Sequence, residues 1–99
     1  MTPMPTPNPA RGEVTVPLAG TPRRLCLTLG ALARIEAALR LDDWSQLPQR
    51  FGRLSATELT AVLAALLEGG GEDPAVLSQR PVSVPEAVAA VAAALSACA

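Results

Sequence analysis

Glu13-Val14-Thr15-Val16-Pro17-Leu18-Ala19-Gly20-Thr21-Pro22-Arg23-Arg24-Leu25-Cys26-Leu27-Thr28-Leu29 decides the fold class, because it holds two apolar–polar alternations on either side of a turn. Val14, Val16 and Leu18 share one face of the first run, with the period of two that a half-buried strand requires. Leu25, Leu27 and Leu29 share one face of the second and leave Arg24, Cys26 and Thr28 outward. Ala19-Gly20-Thr21-Pro22 between the runs is turn chemistry. Pro17 removes a ladder donor, which makes the first run an edge strand or puts Pro17 at its end. The stretch is expected to form a β-hairpin over residues 13–29. An isolated hairpin is marginal in water, so its apolar face must rest on helices or on another chain's sheet.

Beyond the hairpin the apolar period becomes helical. Thr28 is placed to cap a helix over about 29–41, with Leu32, Ile35 and Leu39 on one face and Arg34, Glu36 and Arg40 on the other. Glu36 and Arg40 have the spacing and order of a favourable i,i+4 ion pair. Asp42 and Asp43 interrupt this helix and are placed to cap a short one over about 43–51, which contains Trp44, Leu47 and Phe51 and tolerates Pro48 only in its first turn. Ser55-Ala56-Thr57-Glu58 is a capping box that opens a helix over about 55–68. Its buried face is Leu59, Val62, Leu63, Leu66 and Leu67, and Leu54 stands where a hydrophobic staple residue belongs. Gly69-Gly70-Gly71 stops that helix and starts a flexible loop. Residues 73–79 have room for one helical turn. Ser83-Val84-Pro85-Glu86 repeats the start signal, with Pro in the first turn, for a last helix over about 84–98.

The expected fold is therefore α+β, mostly α, with an N-terminal β-hairpin followed by about four helices in one small domain over residues 11–99. Pro3, Pro5, Pro7 and Pro9 forbid helix in residues 1–10, which are expected to form an extended, mobile, Pro-rich arm. The last helix is unusual. Val84, Val88, Val91, Leu95 and Cys98 follow steps of four and three, a heptad-like seam, and no charge follows Glu86. Either this helix is the central one of the fold, or one flank is an interface. A chain of 99 residues has difficulty burying a whole helix unaided.

Composition narrows the function. Hydrophobic residues make up 49%, but only Trp44 and Phe51 are aromatic, so the apolar content is mostly Ala, Leu and Val. Such a core gains less per residue than one of Leu, Ile and Phe, and suits closely approaching helices instead. The net charge is −1 and every basic residue is Arg, which gives no electrostatic footprint for nucleic acid or an anionic membrane. The first residues lack the apolar core of a secretory signal peptide, and the longest apolar run, residues 87–95, is too short to span a bilayer. A cytoplasmic protein is expected.

The sequence has no His, Lys or Tyr. That removes the usual general base near neutral pH, the Schiff-base nucleophile and the phosphate-binding lysine. The acidic pairs Asp42-Asp43 and Glu72-Asp73 read as caps or solvated turns. Cys26 and Cys98 have no metal-ligand spacing and no His to activate either thiol. No enzyme, no cofactor and no metal site is expected.

Asn8-Pro9-Ala10-Arg11-Gly12-Glu13-Val14, then Leu25-Cys26-Leu27-Thr28-Leu29-Gly30-Ala31-Leu32, then Ile35-Glu36 and Arg50-Phe51-Gly52-Arg53-Leu54-Ser55 follow one another in fixed order. In that order and spacing the chain resembles the gene transfer agent family of small tail proteins, described both as phage tail tube and as tail assembly chaperone proteins. The resemblance covers residues 8–69 and leaves the C-terminal third without a matched motif. It implies a component of a particle related to a tailed phage, a gene transfer agent or prophage tail, made in the cytoplasm of a bacterium, with an alphaproteobacterium as the expected source. It also implies a tape measure protein and a major tail protein as partners. A tail assembly chaperone keeps the long, helical tape measure soluble until tube subunits polymerise around it. A structural tail tube or connector subunit is the alternative, and a small helical regulatory protein is the second.

Protein-binding residues are expected on the last helix, at Val84, Val88, Val91 and Leu95, whose seam would meet a partner helix or a second copy in a homo-oligomer. Trp44 is either a core anchor under the hairpin or an interface residue costly to truncate. Arg11 and Glu13 either contact a partner or fix the entry of the hairpin by pairing or capping.

Overall fold

The computed structural model describes residues 12–98, in which the chain reverses at Ala19 and Gly20, between strands β1 (Glu13–Leu18) and β2 (Thr21–Cys26). The arm over residues 1–10, Arg11 and Ala99 lie outside the described residues. Ala19 and Gly20 have φ of 53° and 83°, the left-handed pair of a type I′ turn, whose twist matches that of a hairpin. Thr21 and Pro22, read from the sequence as turn residues, already belong to β2 and pair with Leu18 and Pro17. In a two-residue hairpin the pair flanking the turn is hydrogen-bonded, and such pairs then alternate with non-bonded ones. Pro17 and Pro22 face each other in a non-bonded pair, so neither removes a ladder donor. Both prolines point their backbone nitrogens out of the sheet, which explains how each is tolerated mid-strand.

After β2 come α1 (Leu29–Leu39), α2 (Leu47–Arg50), α3 (Ala56–Gly69), α4 (Val76–Gln79) and α5 (Val84–Cys98). The fold is α+β and mostly α. Helix α1 packs against α3, α3 against β2, and α5 against both β1 and α3. One core joins Leu18 and Leu25 of the hairpin, Ile35 of α1, Leu63, Leu66 and Leu67 of α3, and Ala90, Val91 and Ala94 of α5.

Two helix starts behave as their caps require. The Thr28 hydroxyl accepts the Ala31 N–H at 3.0 Å. Ser55 and Glu58 exchange both bonds of a capping box, at 3.1 and 2.9 Å, and so satisfy two of the orphan donors at the start of α3. At α5 the Ser83 hydroxyl accepts the Glu86 N–H at 3.2 Å. The Glu86 carboxylate does not return to its own helix start. It accepts the Ala19 N–H at 2.5 Å and ties the hairpin turn to the first turn of α5.

Six local expectations are corrected. Leu29 is 84% exposed, because β2 ends at Cys26 and Leu29 is the first residue of α1, where alternation no longer applies. Cys26 is buried, not outward. A Cβ on Gly69 would overlap the Cys26 carbonyl oxygen, and one on Gly70 the Arg24 carbonyl oxygen, so the end of α3 lies against the outer edge of β2. The glycines are thus a close-packed seat for β2 and not a flexible loop. Glu72 completes that cover: its carboxylate accepts the Arg24 N–H at 3.0 Å and lies 3.6 Å from the Arg23 guanidinium.

Helix α1 stops at Leu39, and Arg40 turns left-handed at φ 56°. Among the described residues Glu36 and Arg40 therefore form no ion pair, while Arg34 pairs with Glu68 of α3. The segment read as one helix over 43–51 is broken into a 3₁₀ turn at Trp44–Gln46, α2, and a second 3₁₀ turn at Phe51–Arg53. Pro48 sits in the first turn of α2, where no donor is lost. Trp44 is 65% exposed on the first of these turns and does not anchor the core under the hairpin. Asp43 pins that turn: its carboxylate accepts from the Ser45 hydroxyl and N–H, which hold its pKa below the ordinary carboxylate value.

Candidate protein-binding groove

Helix α5 has a buried side and an exposed side. Ala87, Ala90, Val91 and Ala94 are buried, whereas Val84 and Val88 are 65% and 51% exposed. Alanines at steps of three and four let the helix axis approach β1 closely, and larger side chains there would hold it off. The valine side is turned away from the hairpin as a result. One side of this helix is core and the other is exposed.

The valine side forms one wall of a groove of about 410 Å³. Val84, Val88, Val91, Ala92 and Leu95 contribute from α5, and Pro48, Phe51, Gly52 and Leu54 from α2 and the turn after it. Leu59 of α3 completes the lining. Leu54 and Leu59 occupy the N′ and N4 positions of a hydrophobic staple around the Ser55 cap, so the device that starts α3 also supplies two groove residues. None of the lining residues carries an ionisable side chain.

A second cavity of about 350 Å³ shares Leu59 and Val84 with the groove and adds Leu63, Leu77, Arg80 and Val82 among others. A polar notch of about 280 Å³ lies beside Arg40, Asp42, Arg50 and Arg53. Arg50 bonds the Glu58 carboxylate at 2.5 Å and the Arg53 carbonyl at 3.1 Å, which braces the turn after α2 against the start of α3. The Ser55 N–H, with help from Arg50, holds the Glu58 carboxyl below its ordinary value.

Of the residues singled out in the sequence, the structure brings Val84, Val88, Val91 and Leu95 together in this groove. Trp44 does not line it, and Glu13 stands on β1 opposite Cys26. Arg11 lies outside the described residues. Phe51, Leu54 and Leu59 also line the groove, though their sequence pattern marks them only as helix or staple residues. The staple spacing was the available signal for two of them.

Among the described residues no group of three His, Cys, Asp or Glu side chains is placed to share a metal ion. No helix there is long and apolar enough to cross a membrane. What the groove offers is shape and apolar area, with no ionisable side chain in its lining.

Neither a curated protein nor a solved structure matches the chain. A family model described as phage tail tube protein, GTA-gp10, matches residues 11–98, from the start of the hairpin through the whole of α5. The match extends over the C-terminal third, beyond the residues 8–69 that carry the resemblance, and it includes every element that lines the groove. The chain belongs to the phage tail tube protein family GTA-gp10, a family of phage and gene transfer agent tails.

Proposed function

We propose that this protein is a non-enzymatic tail morphogenesis factor, a tail assembly chaperone whose groove receives a segment of the tape measure protein while major tail protein subunits assemble. The observation that carries the reading is the uncharged groove along the exposed valine side of α5. An apolar surface of this kind is where a helix of another protein docks by its own apolar face. Membership of a tail protein family supports a partner among tail proteins. The absence of His, Lys and Tyr from the sequence supports a binding role over a catalytic one. Action in the cytoplasm, before the tail is complete, follows from the same reading.

Co-expression with the tape measure protein tests it. The chain should raise the soluble yield of that protein, co-purify with it, and be absent from finished tails. A second reading, a structural tube or connector subunit, is favoured by the family's own description as a tail tube protein. Against it stands the two-stranded sheet, which is small for lining a channel. Stoichiometric recovery from finished tails, with no effect on tape measure solubility, would decide for the structural subunit.

A further inference from the structure

The two edges of the hairpin differ. On β2 the Arg24 N–H donates to the Glu72 carboxylate, and Gly70 and Gly69 lie against the Arg24 and Cys26 carbonyl oxygens. Arg24 therefore directs its backbone groups away from β1, and its cross-strand partner Thr15 directs its own away from β2. Pro17, two residues on, presents its carbonyl on the same outer edge of β1. Among the described residues nothing bonds the Thr15 N–H or the carbonyls of Thr15 and Pro17. Both residues are exposed. The edge of β2 is closed by α3 and Glu72, and the edge of β1 is open. Donors and acceptors repeated every second residue along one edge fit another extended backbone.

The sequence before β1 has the matching repeat. Met4-Pro5-Thr6-Pro7-Asn8-Pro9-Ala10 lacks an N–H at every second residue. In an extended chain alternate residues direct their backbone groups to opposite edges. One edge of this stretch thus carries the N–H groups of Thr6, Asn8 and Ala10, while Pro5, Pro7 and Pro9 leave the other without donors. Gly12 follows at φ 74°, the left-handed conformation that a tight turn needs at its second central residue.

We propose that residues 5–10 fold back at Arg11-Gly12 and add to the outer edge of β1 as a third strand. A two-residue turn there pairs Ala10 with Glu13, Asn8 with Thr15 and Thr6 with Pro17. Every residue that must donate to β1 in this register has an N–H. Each proline falls where the N–H would point away from the sheet, the place in which an edge strand accepts proline. The faces agree too: Thr6 and Asn8 join exposed Thr15, and Pro7 and Pro9 lie beside Val16 and Val14 on the apolar side. A slip of one residue would turn the prolines toward β1 and lose every donor of the added strand. The new outer edge has no donor of its own over these residues, so the sheet ends there.

Amide exchange followed by NMR tests the pairing on the full chain, on a chain lacking residues 1–10, and on two variants. The Thr15 N–H should exchange about tenfold more slowly in the full chain than in the shortened one, while Ile35 and Leu66 in the core exchange alike in both. Asn8→Pro removes the donor that faces Thr15 and should release it. Pro7→Ala adds an N–H on the outward side and should leave Thr15 protected. Thr15 exchanging as fast in the full chain as in the shortened one overturns the proposal, and so does equal release by Asn8→Pro and Pro7→Ala. Protection of Thr15 that rises with protein concentration would assign the added strand to a second copy and overturn the fold-back at Arg11-Gly12.

Discussion

Helices α3 and α5 are of similar length and similarly apolar, yet the protein uses them in different ways. Helix α3 sets Val62, Leu63, Leu66 and Leu67 into the core, closes its start with a capping box, and seats its end on β2 through Gly69 and Gly70. Helix α5 gives the core mainly alanines and leaves Val84 and Val88 outside. The difference shows that apolar content alone does not make a helix central. The side of α5 with Ala87, Ala90, Val91 and Ala94 joins the core, while Val84 and Val88 stay at the surface.

Truncation in α3 should break the fold hardest. Leu66→Ala removes a fully buried side chain and should lower unfolding free energy by about 3 kcal/mol, measured by urea denaturation. Enlarging the alanine side of α5 comes next. Ala90→Leu overpacks the contact with the hairpin and should cost about 2 kcal/mol. A loss as small as that of a surface substitution would mean that α5 is not held close to β1.

Acid should weaken the start of α3. Glu58 is held below its ordinary pKa by the Ser55 N–H and Arg50. A depressed carboxylate contributes stability that is present above its unfolded pKa and is lost as pH falls through the folded value. Glu58→Gln should therefore lose less stability than the parent chain between about pH 5 and pH 3 in thermal melts. The smallest effect belongs to the valine side of α5. Val88→Ser should change stability by no more than about 0.5 kcal/mol, since the residue is half exposed. It should nonetheless weaken partner binding, and that dissociation is what sharpens the contrast with Leu66.

Much of this architecture is legible in the residues. The alternation at Val14, Val16 and Leu18 announces the hairpin, and Thr28 and Ser55 mark helix starts through hydroxyls that accept the expected N–H groups. What failed to show was any feature set by packing at a distance. Cys26 alternates as an outward residue but is buried, with the end of α3 at Gly69 packed against its carbonyl. Trp44 has the size of a core anchor, but Asp43 and Ser45 fix a short turn that presents it to solvent. The seam at Val84, Val88, Val91 and Leu95 is visible as spacing. Its partner wall at Phe51 and Leu54 is contributed by a distant stretch of chain, and no periodicity records that juxtaposition.

The central claim is that the valine side of α5 is where another protein sits. Hydrogen exchange on the chain, free and in complex with the tape measure protein, tests it most directly. The account predicts slowed exchange in residues 84–95 and 48–59 on complex formation, with β1 and β2 unchanged. Protection confined to the hairpin, with α5 exchanging as in the free chain, would contradict it.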